Sequence, residues 1–359
     1  MKSRFAIGKV SLILVFMLVF SGFAAFSPFS SEAADKPLAG KTISFMGDSI
    51  TTYAGWSDSR PITSPEYANR YGEAYYGPVG GDYHNTELLV SDTWWHQAAT
   101  ELGAEVLMVN SGNSTGVLHA SYPSDPDWDQ YLKDMLAYKT RPLYMGMGDI
   151  KPDIIALYIG SSDVARVSIS GFGSINDVDM QTLITQNSDG SFTHKTPGTV
   201  AEAYAILFYK LKALYPDAEI YLITVVPNSG GTMDTCKKRL AQAHPFNDML
   251  KGVADYFDAH LVDTLDEFAL DPDKDGVPTE EALAEFKSCF NGDPHPNAKG
   301  FDVITRRFVK TVLETYPFEK VPATGDTANV WLWSAVTAAS FACIFSMVFL
   351  KFRKSRKAK

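Results

Sequence analysis

An α/β fold built on one parallel sheet of about five strands is what this chain predicts, on three observations. Short apolar runs near 42–46, 105–109, 153–159, 219–225 and 259–263 read as buried strands. Segments with the 3.6-residue apolar period, clearest at 199–214, 239–257 and 298–314, alternate with them as in a doubly wound sheet. No internal repeat interrupts the order, and the roughly 290 residues between two atypical ends suffice for one such domain with long loops.

Taken in order, Thr42 to Met46 is a short, mostly apolar run that stops at Gly47 and reads as a buried strand. A long stretch rich in Tyr, Gly and Pro runs from Tyr53 to Ser91, and Trp94 and Trp95 begin the helix beyond it. The strand at 105–109 leads into Asn110 to Gly116, and the one at 153–159 into Gly160-Ser161-Ser162-Asp163. A polar insert then runs from Ser168 to Gly198 before the next helix. Loops of such length are uncommon unless they do something, and those leaving the carboxyl ends of strands are placed to wall a crevice.

Both chain ends read as addresses. Lys2, Arg4 and Lys9 precede the apolar run Val10 to Phe20, and small residues at Ser31-Glu32-Ala33 offer a cleavage site, so residues 1–33 have the layout of a secretory signal peptide. At the other end, 330–350 is apolar and long enough to cross a bilayer, and the basic tail 351–359 should stay in the cytoplasm. Residues 34–320 are left as the folded domain. The whole chain carries 32 basic and 42 acidic residues, of which three and one lie in 1–33 and six and one in 326–359. The remainder, 23 against 40, is strongly acidic, which argues against nucleic acid or an anionic membrane surface as partner and favours a neutral substrate.

The residues that carry chemistry stand at opposite ends of the domain. Gly47-Asp48-Ser49 comes directly after the first strand, and Asp293-Pro294-His295-Pro296-Asn297 opens the last helix. A serine hydroxyl is a poor nucleophile until an imidazole takes its proton, and a carboxylate must hold that imidazole in the right tautomer. Asp293 is the nearest acid, and Asp263, after a strand, is an alternative. With these blocks the domain resembles the SGNH/GDSL hydrolases over most of residues 38–318, which implies their three-layer α/β/α sandwich on a flavodoxin-like sheet. The resemblance implies Ser49 as nucleophile, His295 as general base and Asp293 as the orienting acid. The family usually places that acid three residues before the histidine, where this chain has Gly292. Its Gly-x-Asn-Asp block corresponds to Gly160–Asp163, with Ser162 in place of the oxyanion asparagine. The family's oxyanion glycine falls at Thr115 in a strict count, so the reading takes Gly116, one residue later, with Gly112 as the fallback. The implied oxyanion set is the N–H groups of Ser49 and Gly116, helped by Ser162.

Other motifs compete with or surround this reading. Gly112-Asn113-Ser114-Thr115-Gly116 also has the Gly-x-Ser-x-Gly form of a nucleophile elbow, but the next residues, 117–126, are turn-rich with two prolines instead of a helix. Asp271, Asp273, Asp275 and Gly276 have the spacing of a calcium loop, with Ala282 where the bidentate glutamate belongs, so an acidic turn competes with a structural calcium site. None of the seven histidines forms a ligand pair at recognisable metal spacing, and no cofactor is implied. Cys236 and Cys289 are either one disulfide or two thiols, and Cys343 lies in the apolar stretch. Val321-Pro322-Ala323-Thr324-Gly325, ahead of the apolar span and basic tail, resembles a sortase sorting signal, which implies cleavage between Thr324 and Gly325 and attachment to peptidoglycan.

The expectation is an exported, wall-attached serine esterase acting on acylated carbohydrate, acetyl groups foremost. Tyr53, Trp56, Tyr67, Tyr71, Tyr75, Tyr76, Tyr83, Trp94 and Trp95 could stack on sugars or could simply anchor the long loop. A lipase or thioesterase of the same superfamily is the near alternative, and a glycan-binding module that lost catalysis the distant one.

Overall fold

Alternation of side chains along each strand decides the layering of this protein. In the computed structural model, residues 36–51, 90–112, 115–119, 136–227, 232–268, 270, 279–290 and 295–318 are described. Their strands are β1 (Thr42–Gly47), β2 (Glu105–Ser111), β3 (Ile154–Tyr158), β4 (Ile184–Gln186), β5 (Phe192–His194), β6 (Glu219–Ile223) and β7 (His260–Val262). Their α-helices are α1 (Trp94–Leu102), α2 (Ser161–Arg166), α3 (Met180–Leu183), α4 (Val200–Leu214), α5 (Met233–Tyr256), α6 (Thr264–Glu267), α7 (Glu280–Ser288) and α8 (Ala298–Thr315).

Five strands form one parallel sheet in the order β2-β1-β3-β6-β7. Successive side chains of a strand point to opposite faces, and both faces here are covered. Met46, Ile155, Leu157, Ile220 and Leu222 pack into a core with α4 and α5. Phe45, Tyr158 and Tyr221 meet the other layer, where Trp94 of α1 lies 5.2 Å from Phe45 and 5.8 Å from Phe308 of α8, and Tyr221 lies 5.7 Å from Phe308. The three-layer α/β/α sandwich expected from the sequence is therefore the architecture of the protein.

Local chemistry sets the helix boundaries. Thr199 and Glu202 form a reciprocal capping box at the start of α4, and Thr232 caps α5, which starts at Met233, upstream of the apolar period expected from 239. Pro245 sits inside α5. Two residues later the Asn247 amide both donates to and accepts from the backbone of Val225, each at 3.0 Å, which pins the helix to the end of β6. The polar insert 168–198 is not structureless: it carries the antiparallel hairpin β4-β5, closed at Gly190 with φ +84°. Cys236 and Cys289 are both buried and form no disulfide, so the two-thiol alternative holds. Residues 316–359 form a separate unit, of which 316–318 are described, with the Tyr316 and Phe318 rings 5.1 Å apart. The leader 1–33, the loop aromatics Tyr53 to Tyr83, the apolar stretch 330–350 and Thr324-Gly325 lie outside the described residues. Among the described residues no helix is long and apolar enough to cross a membrane.

Trp94 is fully buried between sheet and α8, so Trp94→Ala should lower unfolding free energy by about 3–5 kcal/mol. Urea denaturation monitored by far-UV circular dichroism reads this directly, as a lower midpoint with an unchanged slope.

Candidate active site

The strand order reverses direction of travel between β1 and β3, and ligand crevices in such sheets open beyond the carboxyl ends of the strands at that switch point. Ser49 stands there, two residues past β1. Gly47 lets the tip of β1 close against its surroundings, since a Cβ at this position would collide with the Thr51 hydroxyl and the Tyr158 carbonyl oxygen. The turn is then knotted by Asp48. Its Oδ1 accepts the Ile50 N–H at 3.1 Å, its Oδ2 accepts the Ser161 N–H at 3.1 Å, and its own N–H donates to Tyr158 O at 3.3 Å. Trp95 Nε1 donates to Thr51 O at 3.0 Å and fixes the far side of the turn to α1.

His295 reaches this serine from the other end of the chain, its Nε2 2.9 Å from Ser49 Oγ across 246 residues of sequence. The Pro296-Asn297 pair explains its placement. Phe290 and Pro296 form an isolated antiparallel bridge, the Asn297 N–H donates to Cys289 O at 2.9 Å, and its side-chain Oδ1 accepts the Gly300 N–H at 3.1 Å, starting α8 directly behind the histidine. Nε2 can accept the serine proton when the ring proton sits on Nδ1. Asp293, the acid expected to hold that proton, lies outside the described residues. The alternative acid, Asp263, is corrected: its Oδ1 caps α6 by accepting the N–H groups of Leu265 and Asp266 at 3.1 and 3.4 Å, so it serves a helix start.

The oxyanion donors weighed from sequence need revising as well. The Gly116 N–H donates within its own loop to His119 O at 2.7 Å, and the Gly112 N–H donates to Gly47 O at the tip of β1 at 3.1 Å, so both amides are engaged by the protein. Gly116 is a glycine because Asp163 Oδ2 and His119 O occupy the space a Cβ would need, not to approach a substrate. Thr115, the position given by the strict count, is buried, and its hydroxyl donates to Gly112 O at 2.8 Å. Ser162 sits largely buried in the first turn of α2, beside the Ser161 N–H that Asp48 holds. Gly160 precedes it with φ +126°, and a Cβ there would press on Phe246 and the Tyr204 hydroxyl. Ser114 and the calcium-loop residues Asp271, Asp273 and Asp275 lie outside the described residues, and no group of three or more potential metal ligands occurs among those described. Trp94 and Trp95 are fully buried core residues and offer no face to a sugar.

Three supporting residues went unassigned from sequence. Asp163 accepts the N–H groups of Val117, Leu118 and His119 at 2.6, 2.9 and 2.7 Å, so one carboxylate shapes the loop after β2. Arg141 and Asn110 bind each other, with Arg141 Nε donating to Asn110 Oδ1 at 3.0 Å and Asn110 Nδ2 donating to Arg141 O at 3.1 Å. Asp163 stood in a recognisable motif. Arg141, next to Pro142 in a turn-rich segment, carries no periodicity or spacing that separates it from a surface charge.

Burial pushes the Asp48 carboxyl above its ordinary range, against the hydrogen bonds from Ser161 and Ile50 and the attraction of His295. Burial likewise pushes Asp163 up to about 7, outweighing its three amide donors, and the negative charge of Asp48 adds to the rise.

The GDSL-like Lipase/Acylhydrolase family profile matches residues 45–303, and the chain belongs to that family. Among solved structures, the chain is similar to a Bacteroides uniformis protein described as a GDSL-like lipase, at 21% identity over 77% of this chain and 96% of that one, with a TM-score of 0.46. It is also similar to an active-site mutant of a family two carbohydrate esterase from Clostridium thermocellum in complex with cellohexaose, at 15% identity over 78% and 65% of the chains, TM-score 0.39. No curated protein sequence gives a significant match.

The raised Asp163 has a definite pH signature. Its folded carboxyl binds a proton that the unfolded carboxyl has already released, so its contribution to stability falls as pH rises from about 4, the ordinary carboxyl value, to about 7. Unfolding free energies measured by urea across pH 4 to 8 should decline more steeply for the wild type than for Asp163→Asn, which removes this titration.

Proposed function

We propose that this chain is a serine esterase that removes small acyl groups, acetyl foremost, from carbohydrate at the cell surface. The hydrogen bond between His295 Nε2 and Ser49 Oγ, at 2.9 Å, carries the reading. Ser49 Oγ attacks the ester carbonyl while His295 Nε2 takes its proton. The same imidazolium then protonates the departing sugar oxygen, and the acyl group leaves Ser49 when His295 activates a water. The developing oxyanion is held by the N–H groups of Ser49 and Thr115, with the Ser162 hydroxyl replacing the family's asparagine as a third donor. A serine hydroxyl is shorter than an amide and its proton rotates, so this third donor is weaker than the one it replaces.

The sugar substrate is supported by context. An acidic domain with long loops at the carboxyl ends of its strands suits a neutral, bulky substrate. The leader at 1–33 and the Val321–Gly325 motif ahead of an apolar span and basic tail support export and attachment of Thr324 to peptidoglycan. A lipase or thioesterase would differ in preferring long acyl chains.

On the full chain, Ser49→Ala and His295→Ala should each lower p-nitrophenyl acetate turnover by more than about 1,000-fold, while Ser114→Ala keeps it. Activity on acetate should exceed that on esters of eight or more carbons. A variant in which Ser114→Ala alone abolishes turnover contradicts the assignment. For the surface attachment, Thr324→Val should shift the protein from the muralytic-enzyme-released wall fraction to the membrane fraction, and an unchanged distribution would exclude sortase processing.

A further inference from the structure

Arg141 is 1% exposed, and its guanidinium binds three segments of the site at once. Nη2 donates to Gly47 O at 2.6 Å and to Asn110 O at 2.5 Å, the carbonyls at the tips of β1 and β2. Nη1 lies 3.4 Å from Thr115 Oγ1, and Nε donates to Asn110 Oδ1 at 3.0 Å. The segment carrying it is itself held: Asn110 Nδ2 donates to Arg141 O and Tyr144 O at 3.1 and 3.3 Å. From α4 the buried Lys210 Nζ donates to Tyr138 O and Lys139 O at 2.8 and 2.7 Å. A charge taken out of water at this depth is costly unless every donor finds an acceptor in good geometry. A planar fork with donors in several directions can satisfy acceptors that a single ammonium cannot.

The three segments are those that must keep register for acyl transfer. Gly47 is two residues before Ser49, and Gly47 O accepts the Gly112 N–H as well as Arg141 Nη2. Thr115 bears the amide assigned to the oxyanion, and its hydroxyl is anchored between Gly112 O and the guanidinium. We propose that Arg141 is a positioning residue of this active site, which locks the Thr115 amide in register with Ser49 so that the oxyanion donors are placed before substrate arrives. This rests on the esterase reading above. Preorganised donors act on the transition state more than on the bound ester, so loss of the lock should appear in kcat and not in KM.

The experiment compares full-chain wild type, Arg141→Lys, Thr115→Val and Thr115→Ser in steady-state hydrolysis of p-nitrophenyl acetate, with thermal melts alongside. Arg141→Lys keeps the charge and loses the fork. Its kcat should fall roughly 10- to 100-fold with KM within about twofold of wild type. Thr115→Val keeps the amide but removes the hydroxyl, and should lower kcat by more than Thr115→Ser, which keeps both. If Arg141→Lys does not fold, the Thr115 pair alone decides. An Arg141→Lys enzyme with wild-type kcat, or a Thr115→Val enzyme equal to Thr115→Ser, overturns the positioning role while leaving the esterase intact. A wild type without Ser49-dependent turnover overturns the esterase reading itself.

Discussion

Asp48 is the residue on which the rest of the site depends. It is buried at the tip of β1, its two oxygens hold N–H groups of Ile50 and Ser161, and its own N–H reaches Tyr158 O on β3. One side chain therefore shapes the turn that presents Ser49 and ties that turn to the first residue of α2. The cost is a carboxyl kept in a low-dielectric interior, which shows as its raised affinity for a proton. Such a group is tolerable only where its hydrogen bonds are made, so the turn has little freedom to relax.

Asp163 and Arg141 extend the same principle. The carboxylate of Asp163 gathers three successive amides of the loop after β2, and the guanidinium of Arg141 gathers carbonyls from β1 and β2. Between them, backbone groups left over where parallel strands end find partners in buried ionisable side chains. The result is a rim at the switch point whose loops are fixed by polar bonds while the layers beneath, from Trp94 and Phe308 on one face to α4 and α5 on the other, are fixed by apolar packing.

That division explains what could be read in the sequence. The strands at 42–47 and 154–158 and the helices at 200–214 and 298–315 were legible because burial writes itself as apolar periodicity. Ser49 and His295 were legible because their motifs are local, although nothing local says that they meet. Gly116, the glycine one residue past the strict count, makes room for Asp163 and spends its N–H on His119 O, which residue type alone does not reveal. Arg141 stayed hidden because its partners, Gly47, Asn110 and Thr115, are far away in sequence and are bound through two backbone carbonyls, a side-chain amide and a hydroxyl. A carbonyl acceptor has no residue type, so no motif records it. The start of α5 is not marked by apolar periodicity because 237–239, Lys-Lys-Arg, separate its capped first turn from the apolar face that follows.

The proposed chemistry of this family member turns on Ser49 as a nucleophile activated by His295. Labelling the native protein with a fluorophosphonate and locating the adduct by peptide mass spectrometry tests it most directly. The account predicts a single adduct on Ser49 in the wild type and essentially none in His295→Ala at the same exposure. An adduct on Ser114 or any other serine, or labelling of Ser49 in His295→Ala at the wild-type rate, would contradict it.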